Sequence, residues 1–234
     1  MKGKLYLIPA TLGESDVHMV IPSNVIEIVK TLDEFIVEQE KTARHFLKSI
    51  GYESSLDSII LHPLNKHTSH EDILIYLDNA IKGKNIGLLS EAGCPCIADP
   101  GNIIVQMAHQ KQIQVVPLVG PSSIYLSLMA SGFNGQNFAF NGYLPIEKNE
   151  RVKKIKELEN IVYSKSQTQI FIETPYRNNQ LVQDILKTCN KETKLCIASS
   201  ISTTDESIAT KSIAQWQYKL PDLNKKNSIF LLYK

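Results

Sequence analysis

The residue types best suited to chemistry crowd into one short stretch, SEAGCPCIADPG. It runs from Ser90 to Gly101 and packs two glycines, two prolines, two cysteines and two acids directly after the apolar run Ile86-Gly87-Leu88-Leu89. A zinc centre asks for C-x2-C spacing and a second ligand pair. Here Cys94-Pro95-Cys96 is C-x-C, and Cys189 and Cys196 belong to a different helix–strand unit. A redox pair meets the same objection, since the thioredoxin-like arrangement is C-x-x-C at the opening of a helix. On its residues alone the stretch reads as a tight strand-to-helix turn. Gly93 supplies unusual backbone angles, Asp99 caps a helix that starts at Pro100, and the thiols act as small fillers.

Two further groups invite a chemical reading. His62, His67 and His70 in HPLNKHTSH have H-x4-H-x2-H spacing, but they sit in a polar segment with no supporting carboxylate pattern and read as exposed loop histidines. The segment EKNERVKKIKELE places five basic residues between Lys148 and Lys156. It either tracks an RNA backbone or forms the solvated face of an amphipathic helix.

The elements that must position these residues alternate short apolar runs with longer segments of helical period, the pattern of an α/β protein with largely parallel strands. Strands are expected at 5–9, 35–38, 86–90, 114–118, 138–142, 168–173, 194–199 and 228–233. One amphipathic helix is expected from Glu71 to Ile81, with Ile73, Leu74, Leu77 and Ile81 on one face. Another places Ile103, Ile104 and Met107 together. PLVGPSS interrupts the alternation, which divides the chain into an N-terminal domain, 1–118, and a C-terminal domain, 119–234.

Glycine placement narrows the ligand classes. No two of the 11 glycines are separated by a single residue, so the G-x-G-x-x-G dinucleotide turn is absent, as is the P-loop. No glycine follows Gly142, which leaves PATLGE, SEAGCPCIADPG and PLVGPSS as turns where a backbone can approach a ligand closely. Each follows an apolar strand at its carboxyl end, the edge where open α/β sheets bind ligands.

Composition sets the outer bounds. With 43% hydrophobic and 21% charged residues, 234 residues can bury a sizeable core, and a net charge of +1 means that any nucleic-acid surface must be a local patch. The apolar run within MKGKLYLIPATLGE is too short for a signal-peptide core, and no segment has the ~18 apolar residues of a membrane span. A soluble cytoplasmic protein with reduced thiols and no disulfide framework is expected.

Six motifs, in order, then resemble a known family. SEAGCPCIADPG resembles the S-D-A-G-x-P-x-[IL]-[SA]-D-P-G signature of the tetrapyrrole methylase superfamily, in particular its small-subunit ribosomal RNA methyltransferase I branch. LYLIPATLGE resembles that family's opening strand and P-T-P-I-G-N turn, and FIVEQEKTARHFLKSIG its A-E-D-T-R-x-[ST]-R-x-L-L-x-x-x-G. VVPLVGPSS resembles V-x-P-[LI]-P-G-[PA]-[SC], FNGYLP resembles F-x-G-F-L-P, and FIETPYR resembles F-Y-E-[SA]-P-H-R, so the likeness runs from Lys4 to about Arg177.

The resemblance implies a two-domain α/β fold with a mostly parallel sheet in the N-terminal domain and a mixed sheet in the C-terminal domain. It also implies a homodimer that binds S-adenosyl-L-methionine in a cleft between the domains, with no metal and no membrane. Matched residue by residue, the cofactor surface is Pro9 to Leu12, Gly93, Cys94, Ile97, Ser122, Ser123, Ile172 and Glu173. The implied acceptor is a ribose 2′-hydroxyl of small-subunit ribosomal RNA. Glu38 is the candidate for removing its proton, and Arg44 for anchoring a substrate phosphate or carboxylate.

The chain also departs from the family. D-T-R is Gln39-Glu40-Lys41 here, R-E-L-T-K is Ser199-Ser200-Ile201-Ser202-Thr203, and relatives continue into a small further domain past the point matched by Lys234. The altered positions leave a tetrapyrrole or other small-molecule acceptor, or a non-catalytic adenosylmethionine-binding protein, as the alternatives.

Overall fold

The structure is a computed structural model that describes residues 1–53 and 57–234. It divides into two compact units, Met1–Ser122 and Ser123–Lys234.

The first unit contains β1 (Lys4–Ile8), α1 (Val17–Val20), α2 (Ser23–Lys30), β2 (Glu34–Val37), α3 (Glu40–Ser49), β3 (Ile60–Pro63), α4 (His70–Ile75), α5 (Asp78–Ile81), β4 (Ile86–Leu89), α6 (Asn102–Gln110) and β5 (Gln114–Pro117). Its five strands form one sheet in the order β3-β2-β4-β1-β5, and every pairing is parallel. The central strands β2 and β4 are buried along their whole length, which is why they read as continuous apolar runs rather than as alternation. On one face Ile8, Phe35 and Val37 pack with Val25, Val29 and Leu47. On the other, Leu5, Ile36 and Leu88 pack with Leu77, Ile104 and Met107.

Sheet order and helix placement together create a switch point. The chain leaves β1 through α1 and α2 on the first face, and leaves β4 through α6 on the second, although β1 and β4 are neighbours. Adjoining strands whose connections depart to opposite faces leave a crevice at their carboxyl ends.

The second unit contains α7 (Ser123–Ser131), β6 (Phe138–Tyr143), α8 (Lys148–Lys165), β7 (Thr168–Glu173), α9 (Asn178–Thr188), β8 (Lys194–Ser199), β9 (Ser207–Ser212), α10 (Ile213–Trp216) and β10 (Ser228–Tyr233). The sheet order is β6-β7-β10-β8-β9, with β6 parallel to β7 and every other pairing antiparallel. Phe171 and Phe230 stack at its centre with ring centroids 6.0 Å apart. Ile155, Leu158 and Val162 of α8, and Leu181 and Ile185 of α9, complete that core.

Three sequence expectations need correction. The helix expected over 71–81 is two short helices, α4 and α5, and Leu74 and Ile81 are 48% and 42% exposed, because the buried stripe is Ile73, Tyr76, Leu77 and Ala80. Strands β3 and β9 were not anticipated; both are sheet edges with half-exposed residues and little apolar signal. His62 is not an exposed loop residue. It lies on β3, its Nε2 is 2.8 Å from Glu34 Oε1, and its ring stacks on Tyr76 at 4.7 Å. Among the described residues, no helix is long and apolar enough to cross a membrane.

Candidate active site

The three glycine-bearing turns of the first unit meet. The Ala10 N–H donates to the Gly93 carbonyl at 3.0 Å, and the Gly93 N–H donates back to Ala10 at 3.1 Å, which joins the turns after β1 and β4. Gly93 is buried with φ +70, and a Cβ there would sit 3.1 Å from Leu12 Cδ2 and 3.4 Å from the Pro121 carbonyl oxygen. Only glycine adopts that backbone without strain. The third turn joins through Gly120, where a Cβ would lie 2.3 Å from the Pro9 ring, and through the Cys94 thiol, 3.5 Å from the Pro121 carbonyl oxygen.

Pro9, Leu12, Gly93 and Cys94 are therefore neighbours of the segment that leads into half-buried Ser122. Ile97 stands apart at the outer side of its turn, 51% exposed.

The stretch from Ser90 to Gly101 is a strained turn held by one carboxylate. Cys96 and Ala98 are left-handed at φ 67 and φ 62, and Asp99 Oδ1 accepts the N–H groups of Cys96 and Gly101, both at 2.8 Å. Left-handed non-glycine residues cost on the order of 1–3 kcal/mol each and persist only where surrounding contacts fix them. This corrects the role expected of Asp99: the helix starts at Asn102 with Gly101 at its cap position and no side-chain cap, so Asp99 braces the turn instead. The thiols fill space. Burial, with a smaller contribution from Asp99, pushes Cys96 up to about 11, and burial also raises Cys94. All four cysteines are free.

Beside this turn a groove is lined by Glu38, Leu64, Leu88, Ser90, Glu91 and Asp99. Glu38 follows β2, which pairs with β4, so parallel register brings it next to the turn after β4. It is half-buried, and burial, followed by the charges of Glu91 and Asp99, raises its proton affinity above that of an ordinary carboxylate. Arg44, one helical turn into α3, lies 3.7 Å from Glu40 and is 35% exposed. Glu91, whose role no sequence signal marks, lines the same groove; its Oε1 accepts the Gln39 N–H at 3.1 Å and the Thr42 hydroxyl.

In the second unit Ser123 opens α7, and Ile172 and Glu173 end β7. Glu173 is already engaged: its Oε1 accepts from the Thr174 N–H at 2.6 Å and from Arg177 Nε and Nη2 at 3.0 and 2.6 Å. Arg151 corrects the reading of the basic segment. It is 2% exposed, donates through Nε and Nη2 to Asp184 Oδ2 at 2.9 and 2.6 Å, and reaches the Ile146 carbonyl at 2.6 Å, so it faces the interior and cannot track a phosphate backbone.

A doubly wound parallel sheet, with turns gathered over adjoining strand ends and followed by a mixed sheet, is an architecture seen in solved methyltransferases. CobJ aligns with TM-score 0.66 at 12% identity, over 99% of this chain and 94% of its own. Uroporphyrin-III-C-methyltransferase from Thermus thermophilus aligns with TM-score 0.58 at 16% identity, over 100% and 93%. Residues 4–217 match the Tetrapyrrole (Corrin/Porphyrin) Methylases, and the chain belongs to that family of methyltransferases. Among similar curated proteins, the ribosomal RNA small subunit methyltransferase I of Vibrio cholerae serotype O1 is 30% identical over 232 residues, covering 97% of this chain and 76% of the relative. The protein of the same name from Escherichia coli O157:H7 is 29% identical over 208 residues, covering 88% and 68%.

Proposed function

We propose that the protein methylates a ribose 2′-hydroxyl of small-subunit ribosomal RNA with S-adenosylmethionine as donor, in the cytoplasm and as a homodimer. The observation that carries the reading is the likeness, along 97% of this chain, to a protein named for small-subunit ribosomal RNA methylation.

The first-unit turns fit the cofactor. Gly93 leaves backbone bare where a Cβ would press on Leu12, and small or apolar groups surround it, as a surface for a purine nucleoside and a thioether-like chain requires. Pro9 to Leu12, Gly93, Cys94 and Ser122 would hold it, and Ile97, which stands apart in its turn, is assigned only by the likeness of SEAGCPCIADPG to the family signature. For Ser123, Ile172 and Glu173 the same role rests on the likeness of FIETPYR and VGPSS to the family motifs. When bound, the cofactor supplies a methyl group activated by an adjacent sulfonium.

The chain's own task is alignment, exclusion of water and removal of one proton. Glu38 takes the proton from the ribose hydroxyl, and its raised proton affinity brings it closer to the pH at which it must act as a base. Arg44 holds an RNA phosphate by exchanging its 3.7 Å pairing with Glu40 for a stronger anion. Purified small ribosomal subunits from a deletion strain, incubated with the protein and methyl-labelled S-adenosylmethionine, test the reading. A labelled 2′-O-methylnucleoside in the digested RNA is the expected result. Label confined to a base or absent, with cofactor binding intact by calorimetry, would overturn it.

A further inference from the structure

We propose that Glu91 is a positioning residue for methyl transfer, its carboxylate latching the cofactor turn after β4 to the amino end of α3 and thereby fixing Glu38. The inference rests on the reading of Glu38 as the base and adds to it a residue that touches neither cofactor nor acceptor.

Helix α3 begins without a cap of its own. Gln39 occupies the cap position with no side-chain hydrogen bond, so the first N–H groups depend on a partner from elsewhere. Glu91 supplies one for Gln39, taking its N–H at 3.1 Å and the Thr42 hydroxyl on the same oxygen, from 52 and 49 residues away. A carboxylate at a helix amino terminus is also favoured by the helix dipole. Glu38 is the residue immediately before the latched N–H, and Glu91 lies two residues before Gly93, so a single side chain joins the acid to the turn.

The latch differs from the family signature S-D-A-G-x-P-x-[IL]-[SA]-D-P-G. That signature has aspartate where this chain has Glu91, and A-E-D-T-R-x-[ST]-R specifies no residue where this chain has Thr42. The longer side chain accompanies the replacement of D-T-R by Gln39-Glu40-Lys41.

Glu91 also acts on Glu38 through its charge. The groups facing the Glu38 carboxyl across the groove are Glu91 and Asp99, both of which raise its proton affinity. The first turns of the following helix carry Glu40, Lys41 and Arg44, with Glu40 and Arg44 3.7 Å apart, and from the β3–α4 connection Asn65 Nδ2 donates to the Glu38 carbonyl at 3.4 Å. A base is active when deprotonated, so the acid limb of the rate profile rises through the Glu38 pKa, and removing one of these negative charges moves the limb to lower pH.

Reach and charge separate in two variants assayed as pH–rate profiles on small ribosomal subunits. Glu91→Gln keeps the acceptor oxygen and loses the charge: the limb moves to lower pH while the plateau kcat stays within about threefold. Glu91→Asp keeps the charge and shortens the side chain: the limb stays near its original pH while kcat falls at least tenfold. KM for S-adenosylmethionine stays within about threefold in both. If both variants keep the wild-type profile, or both lose rate only in proportion to folded protein with the limb unmoved, the latch is overturned. Glu38→Gln distinguishes the two levels: an undiminished rate there removes Glu38 as the base, whereas a collapsed rate there with an undiminished kcat in Glu91→Asp removes only the positioning role.

Discussion

Apart from the pairing of buried Glu34 with His62 in the first unit, the two units of the chain use polar and charged groups differently. In the first, the polar groups near the strand ends belong to turns, many are backbone atoms, and several hang on unusual backbone angles at Gly93, Cys96 and Ala98. In the second, the most buried charges are consumed internally: Arg151 by Asp184 and two carbonyl oxygens, Glu173 by Arg177 and the Thr174 N–H. A parallel sheet leaves its strand ends free for ligands, because every connection must return by a helix across the face. In the mixed sheet β10 runs antiparallel to β7 and β8, and β8 to β9, so these neighbours present their carboxyl ends at opposite edges, and the buried charged side chains serve to join elements.

The comparison breaks most visibly at Arg151. Replacing it with alanine leaves Asp184, which is 5% exposed, without its cation, and removing one partner of a buried pair costs about 3–5 kcal/mol. Chemical unfolding should show that loss, while Lys153→Ala, on the exposed side of the same helix, stays within about 0.5 kcal/mol of wild type. Equal behaviour of the two variants would place Arg151 outside the core.

Gly93→Val tests the other half. The left-handed position costs a branched residue at least ~1–2 kcal/mol, and the new side chain presses on Leu12. Calorimetry should record no S-adenosylmethionine binding from a protein that still unfolds cooperatively. Retained binding would mean that the meeting point of the turns is structural only. A gentler probe is the Cys96 thiol, raised to about 11 by burial and Asp99. Its alkylation should be slow at neutral pH and climb about tenfold per pH unit, with no plateau before about pH 11, and Cys96→Ser should bind cofactor as wild type does. Fast labelling at pH 7 would mark a reactive thiol rather than a filler.

What the sequence disclosed follows from where each signal is stored. Buried strands such as β4 and β10 announce themselves by apolar runs, and the edges β5 and β6 still hold Val115-Val116 and Phe138 with Phe140. By contrast, β3 and β9 present ILHP and SIATKS, in which one face sees solvent and the register is supplied by the neighbouring strand. The glycine turns were legible because close backbone approach restricts the residue type, and their meeting followed from strand order. The pairing of His62 with Glu34 and the latch of Glu91 on Gln39 were not, since both join segments separated by 28 or more residues and leave no local period. Arg151 did leave a trace: Arg151, Ile155, Leu158 and Val162 share one helical stripe, so the arginine stood on the apolar face of a segment whose composition suggested solvent.

The smallest effect expected concerns the lysines that this stripe leaves outside. Lys148, Lys153 and Lys156 are exposed on α8, whereas Lys154 is held 2.9 Å from Glu157 and Arg151 is buried. If these three meet RNA phosphates, each contact releases condensed counterions, and binding to small ribosomal subunits weakens as salt rises. Changing all three to glutamine should flatten the logarithmic salt slope by roughly 0.7 to 0.9 per lost contact. Stability should change by no more than about 0.5 kcal/mol for each, because no core residue or ion pair is disturbed. S-adenosylmethionine binding, assigned to residues outside α8, should be untouched. A slope identical to wild type would show that the outer face of α8 is merely solvated. RNA recognition would then have to come from other basic residues, with Arg44 the first to test by the same titration.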